Sequence, residues 1–159
     1  AVNGMTYGAW KNGKLPLMRD GTQWRPMVHV SDTVSAQIFM LDADINKVNG
    51  EIFNVGSDKN SYQIKDIAEI VASIVKNVDI EWYGDVDNRS YRVSFKKIES
   101  LGYRALKTAE DGVIEILNKL ESGELEKTID TITLDWYEHI IKWHKKIKEM
   151  EKYGGMLEL

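Results

Sequence analysis

Apolar residues recur every three to four positions in several stretches of the chain, and between them stand shorter runs of extended character. Ile67, Ile70, Val71 and Ile74 predict a helix over 66–75 that opens at Asp66. Val34, Ile38 and Leu41 predict another over 33–42, capped by Ser31 or Asp32, with those three residues turned inward. Residues 3–12 read as a helix end closed by Asn12-Gly13, and Ser94 opens a short helix that ends at Gly102. Thr108 and Asp111 form a capping box for a helix over 109–122, closed by Gly123. The extended runs are 15–18, 25–30, 51–56 and 78–82, with Gln63-Ile64 a short extended pair. Pro26 stands near the start of its strand, where a missing N–H is tolerated. Arg19-Asp20-Gly21-Thr22 makes a turn, and the polar, aperiodic stretch 84–92 reads as a loop.

The clearest amphipathic helix is the tail, 129–151, where Ile129, Ile132, Trp136, Ile140, Trp143, Ile147 and Met150 keep helical spacing. Such a stripe ordinarily docks on its own domain, and a coiled-coil seam for a partner is the alternative. The pattern divides the chain at 128, with 129–159 forming the tail and Gly154–Leu159 a loosely held terminus. Short strands mixed with helices, without a βαβ repeat, predict a mixed α/β domain that lacks a complete dinucleotide-binding unit.

Composition narrows the picture. The 159-residue chain carries a net charge of −4, which disfavours a nucleic-acid partner. No apolar run reaches membrane-spanning length, and no signal peptide is visible, so the expected setting is cytoplasmic. Cysteine is absent, which removes disulfides, thiolate metal sites and thiol nucleophiles. The chain opens on Ala1 rather than Met, as a piece of a longer polypeptide would. Arginine occurs only at Arg19, Arg25, Arg89, Arg92 and Arg104, in a chain whose usual cation is lysine. A rare guanidinium suits planar, two-pronged contact with phosphate or carboxylate.

Several apparent motifs carry nothing. Tyr7 and Lys11 match a Tyr-x-x-x-Lys acid/base pair, but so do Tyr103 and Lys107, and a two-residue pattern that occurs twice in so short a chain has little specificity. His139 and His144 are five apart on the tail helix and point in different directions, so no metal site is expected. No Gly-x-Gly-x-x-Gly follows any strand, so no cofactor site is expected in this chain.

An ordered set of segments is more specific. Gly21-Thr22-Gln23-Trp24-Arg25-Pro26-Met27-Val28-His29-Val30-Ser31-Asp32 comes first, Gly50-Glu51-Ile52-Phe53-Asn54-Val55-Gly56 second, and Asp87-Asn88-Arg89-Ser90-Tyr91 third. Lys97-Ile98 and Leu101-Gly102 follow. In these segments the chain resembles the C-terminal part of the extended short-chain dehydrogenase/reductase family of nucleotide-sugar epimerases and dehydratases. That family's pattern reads G-x-G-x-x-R-(D/P)-x-x-H-V-x-D, then Y/F-N-V-G, then D-x-R-x-Y. Arg19 departs from it, standing where the pattern has its first glycine.

The resemblance implies a small substrate-binding domain whose redox half, with NAD or NADP and the catalytic tyrosine, lies in a missing N-terminal Rossmann portion. It implies that Arg25 and Arg89 contact the diphosphate of a nucleotide-diphosphate-sugar. Arg92 joins them by proximity, Asn3 by its place before the Gly21 turn, and Trp24 and Tyr91 as rings able to stack on the nucleotide. No catalytic residue is assigned to this chain. His29, Asp32 and Asn54 read as structural, Asp32 as a helix cap and Asn54 as a backbone tie near Gly56. A free-standing nucleotide-sugar-binding module without catalysis stays open as the second reading, and a fragment whose exposed face makes it a homodimer as the third.

Overall fold

The computed structural model describes residues 1–152, so the expected terminus Gly154–Leu159 lies outside the described residues. The chain forms two compact units, Ala1–Glu121 and Ser122–Leu159.

The first unit is a mixed α/β domain. Helix α1 (Val2–Asn12) ends on Gly13 in the left-handed conformation, and strand β1 (Lys14–Met18) follows at once. β1 pairs in parallel with β4 (Asp79–Tyr83), from Lys14 opposite Asp79 to Met18 opposite Tyr83. Side chains alternate along β1: Leu15 and Leu17 enter the core, and Pro16 and Met18 face the other way. The core gathers Met5 and Ala9 of α1, Leu15 and Leu17, then Ile67 and Val71 of α4 (Ile64–Val75) and Val113 of α6 (Ala109–Glu121). Helix α1 lies close on β1, because a Cβ at Gly8 would stand 2.9 Å from Pro16 Cδ and 3.0 Å from the Lys14 carbonyl.

A second core cluster joins Ala36 of α2 (Val30–Leu41) to Phe95, Ile98 of α5 (Lys96–Ser100) and Tyr103. Gly56 belongs here by necessity. Its φ is +148°, and a Cβ would fall 2.7 Å from Phe95 Cε1. A short helix, α3 (Ile45–Val48), and a 3-10 turn (Asp58–Asn60) complete the connections.

Several expectations are corrected. The strand expected over 25–30 is only β2 (Trp24–Pro26), paired antiparallel with β3 (Ser61–Gln63). It stops because His29 starts a helix: its Nδ1 accepts the Ser31 N–H at 3.2 Å, so His29, not Ser31 or Asp32, is the N-cap of α2. Asp32 has a longer-range task. It is buried, and its carboxylate accepts the N–H groups of Leu106 (3.0 Å) and Lys107 (2.9 Å), tying a distant segment to α2. Val34, Ile38 and Leu41 do not face inward but are 48%, 57% and 84% exposed; α2 buries Asp32 and Ala36 instead.

Residues 51–56 form no strand, since no second strand pairs with them. Lys97 Nζ caps the Ile52 carbonyl, and Asn54 Nδ2 donates to the Ser94 carbonyl, forty residues away rather than beside Gly56. Helix α4 starts at Ile64, two residues early, because Gln63 is the cap and Asp66 reaches back to its N–H at 2.8 Å. The capping box at α6 is formed as expected: Thr108 N–H donates to Asp111 at 2.8 Å, and Asp111 N–H to Thr108 Oγ at 3.3 Å. The Asp111 carboxyl is held below its usual range by the Thr108 backbone N–H.

In the second unit the tail helix, α7, spans Thr133–Lys152, shorter at its start than the expected 129–151. Thr131 Oγ1 donates to the Thr128 carbonyl at 3.0 Å, so the residues before α7 close as a turn.

Candidate functional site

Strand β2 is the hinge of the site. One edge pairs with β3, and the other is taken by the loop after β4. The Trp24 N–H donates to Ser90 Oγ at 3.0 Å, and the Tyr91 N–H donates to the Trp24 carbonyl at 3.3 Å. This lateral docking brings Arg25 and Arg89 together although 64 residues separate them.

The two arginines share one carboxylate. Arg25 Nη2 lies 2.8 Å from Asp87 Oδ2, and Arg89 Nε lies 2.8 Å from Asp87 Oδ1. Arg25 Nη1 also donates to the Trp24 and Arg89 carbonyls. The Arg89 N–H closes a local Asp-x-Arg turn onto Asp87 at 3.0 Å. The side-chain hydrogen bond from Arg89 is the main cause holding the Asp87 carboxyl at about 2, well below its ordinary value. Reciprocally, Asp87 holds the Arg89 guanidinium above its ordinary value. Exposure separates the two arginines. The Arg25 side chain is 18% exposed and Arg89 80%, so Arg25 is built in and Arg89 presents its outer nitrogen to solvent.

The aromatic residues join the same cluster as supports for cations. Arg25 stands 5.1 Å from the Tyr91 ring and Arg92 3.4 Å from the Trp24 ring. Each of these rings, a candidate nucleotide stacker by sequence, carries a guanidinium in this structure. The cluster opens on a cavity of about 300 Å³ walled by Pro16, Met18, Gln23, Arg25, Tyr83 and Asp87. Gln23 is buried, and its Oε1 has no hydrogen-bond partner. A buried amide oxygen left open is costly unless something completes it.

Of the six residues singled out in the sequence, Arg25, Arg89, Trp24, Tyr91 and Arg92 come together. Asn3 does not join them. It lines a separate cavity of about 270 Å³ with Met27, His29, Asn60 and Glu115. There His29 Nε2 lies 3.3 Å from the Glu115 carboxylate, and Asn60 Nδ2 donates to the Lys107 carbonyl at 2.6 Å. Two residues escaped the sequence reading. Asp87 was legible as the acceptor of a local Asp-x-Arg turn, and Gln23 stands two residues before Arg25, on the same side of an extended segment.

The false acid/base pair at Tyr103 is accounted for. Residues 103–108 are not helical, and Tyr103 OH donates to the Asp32 carbonyl at 2.6 Å in the core. β1 runs into the Gly21 turn and β4 into the Gly84 loop, and neither opens a helix through a glycine-rich phosphate cradle. Among the described residues no three ligating side chains cluster for a metal ion, and no helix is long and apolar enough to cross a membrane.

Comparison with known proteins agrees with this architecture. Residues 2–56 match the model of the NAD dependent epimerase/dehydratase family. The UDP-D-apiose/UDP-D-xylose synthases of Arabidopsis thaliana (synthase 1) and Oryza sativa subsp. japonica are 29% and 30% identical over 89 residues, which is 56% of this chain and 22% of each relative. Among solved structures, dTDP-glucose 4,6-dehydratase from Bacillus anthracis in complex with NAD superposes with a TM-score of 0.62 at 26% identity, covering 77% of this chain and 39% of that one. UDP-glucuronic acid 4-epimerase from Bacillus cereus, in complex with UDP-glucuronic acid and NAD, gives 0.65 at 20% identity over 77% and 40%, a likeness of fold. The chain therefore spans about a fifth of its curated relatives and two fifths of these solved chains. Residues 2–56 thus carry the likeness to the NAD dependent epimerase/dehydratase family, and the mixed α/β fold is similar to that of such dehydratases and epimerases.

Proposed function

We propose that this chain is the C-terminal portion of a cytoplasmic NAD(P)-dependent nucleotide-sugar epimerase or dehydratase, and that it binds the nucleotide-diphosphate part of the substrate. The observation that supports this most is the Arg25–Asp87–Arg89 cluster. Two guanidiniums share a single carboxylate, which leaves one net positive charge at the mouth of a cavity. A diphosphate is the complementary ligand, because guanidinium forks match its oxygens. Arg25 sets the geometry from β2, and the outer Nη1 of Arg89, which has no partner among the described residues, turns to a phosphate oxygen. Gln23 Oε1 accepts from a donor on the bound nucleotide. Hydride transfer belongs to the nicotinamide cofactor, carried by the remainder of the polypeptide; the residues here bind and orient.

Calorimetry with UDP and dTDP tests this reading. Weak binding is expected to the wild-type chain, and Arg25→Ala and Arg89→Ala should each cost about 1.5–3 kcal/mol, the range for hydrogen bonds to charged groups. Equal affinity in the wild type and both variants would remove the diphosphate assignment.

A further inference from the structure

Asp87 already fills the anion position between the two arginines. Arg89 spends Nε and Nη2, one paired edge of its guanidinium, on the two Asp87 oxygens at 2.8 and 3.1 Å. Arg25 Nη2 reaches the same carboxylate at 2.8 Å, and the Arg89 backbone N–H donates to it at 3.0 Å. Each carboxylate oxygen therefore accepts twice, and no free acceptor site faces a further donor. The fork that could grip two phosphate oxygens is closed on an internal pair of oxygens instead.

We propose that Asp87 stands in for the ligand in the free chain, and that a diphosphate displaces it from Arg89 while Arg25 keeps it. The exchange rests on the diphosphate reading of this cluster and adds what has to move. Three observations select Arg89 as the arm that exchanges. Its side chain is 80% exposed against 18% for Arg25, and an exposed ion pair is easily broken. Its guanidinium hydrogen-bonds only to Asp87 among the described residues, whereas Arg25 Nη1 is also held by the Trp24 and Arg89 carbonyls. The loop does not depend on the Arg89 side chain, because Ser90 Oγ and the Tyr91 N–H dock it on Trp24. Asp87 is not stranded when Arg89 swings out, since Arg25 and the Arg89 backbone N–H still serve both of its oxygens.

Calorimetry at low ionic strength with UDP, and with inorganic pyrophosphate, compares the wild-type chain with Asp87→Asn. Asparagine keeps the shape of the side chain and removes its charge. It should tighten both ligands by about tenfold, because the competing anion is gone and no longer repels the diphosphate. A carboxylate that only positions the arginines predicts the opposite sign. A crystal structure of the wild-type chain with UDP gives a second readout that does not depend on the variant folding. It should show Arg89 Nε and Nη2 on phosphate oxygens and Arg25 Nη2 still on Asp87. Unchanged or weaker binding in a folded Asp87→Asn chain overturns the exchange and leaves the diphosphate reading standing. So does a UDP complex in which the Arg89 fork remains on Asp87. UDP and pyrophosphate that bind neither chain overturn the diphosphate reading and the exchange with it.

Discussion

Asp87 is bound by a guanidinium on each oxygen and by the Arg89 backbone N–H, and all of these favour its charged form. Its folded pKa of about 2 lies below the ordinary 3.8, so folding favours release of its proton. The stabilisation is therefore complete above about pH 4 and is lost as the pH falls from there through about 2. Asp87→Asn should remove that part of the acid-denaturation curve, and the carboxyl carbon of Asp87 should titrate near 2 by NMR; a midpoint near 4 would show the clamp to be absent in solution. Asp32 works through geometry. It is buried and serves two backbone N–H groups, so Asp32→Ala leaves both unpaired. The expected cost is about 2–4 kcal/mol, read by urea denaturation. Gly56→Ala sets a Cβ against the Phe95 ring at a φ that glycine alone favours, and should cost about 1–3 kcal/mol in the same measurement.

Elements were legible where the signal is local. The α6 capping box needs only Thr108 and Asp111, three residues apart, and Gly13 closes α1 because a left-handed turn there suits glycine. What is non-local was not legible. A run such as 51–56 looks like a strand, but a strand needs a partner edge, and that is decided elsewhere in the chain. Helix α2 shows the same limit. Periodicity identifies its apolar face correctly yet says nothing of what covers it, and within this chain Val34, Ile38 and Leu41 stay exposed. Of the candidate site, the arginines were legible from their rarity, whereas their convergence on Asp87 depends on the loop docking beside β2. For α2 the outcome should invert ordinary expectation. Val34→Lys and Ile38→Lys should each change stability by less than about 0.5 kcal/mol, while Ala36→Leu, at a 1% exposed position against Phe95 and Tyr103, should cost about 1–3 kcal/mol by overpacking. Thermal denaturation of the three variants separates these cases.

At the scale of the whole molecule, the two units differ in where their apolar residues go. Every buried apolar residue among those described lies at or before Leu120. The first unit thus holds its own core, the arginine cluster and both of the cavities described around Asn3 and Arg25. Ending the chain after Gly123 keeps the turn that closes α6 and removes only the second unit. Such a truncation should unfold cooperatively with a midpoint within about 4 °C of the full chain, which corresponds to a loss of less than about 1 kcal/mol. It should retain the same affinity for UDP or dTDP, since no cluster residue lies beyond Arg92. A truncated chain that binds as the full chain does would assign recognition to the first unit. Loss of cooperative unfolding would instead show that the core needs the second unit, and would set the boundary at Glu121 aside.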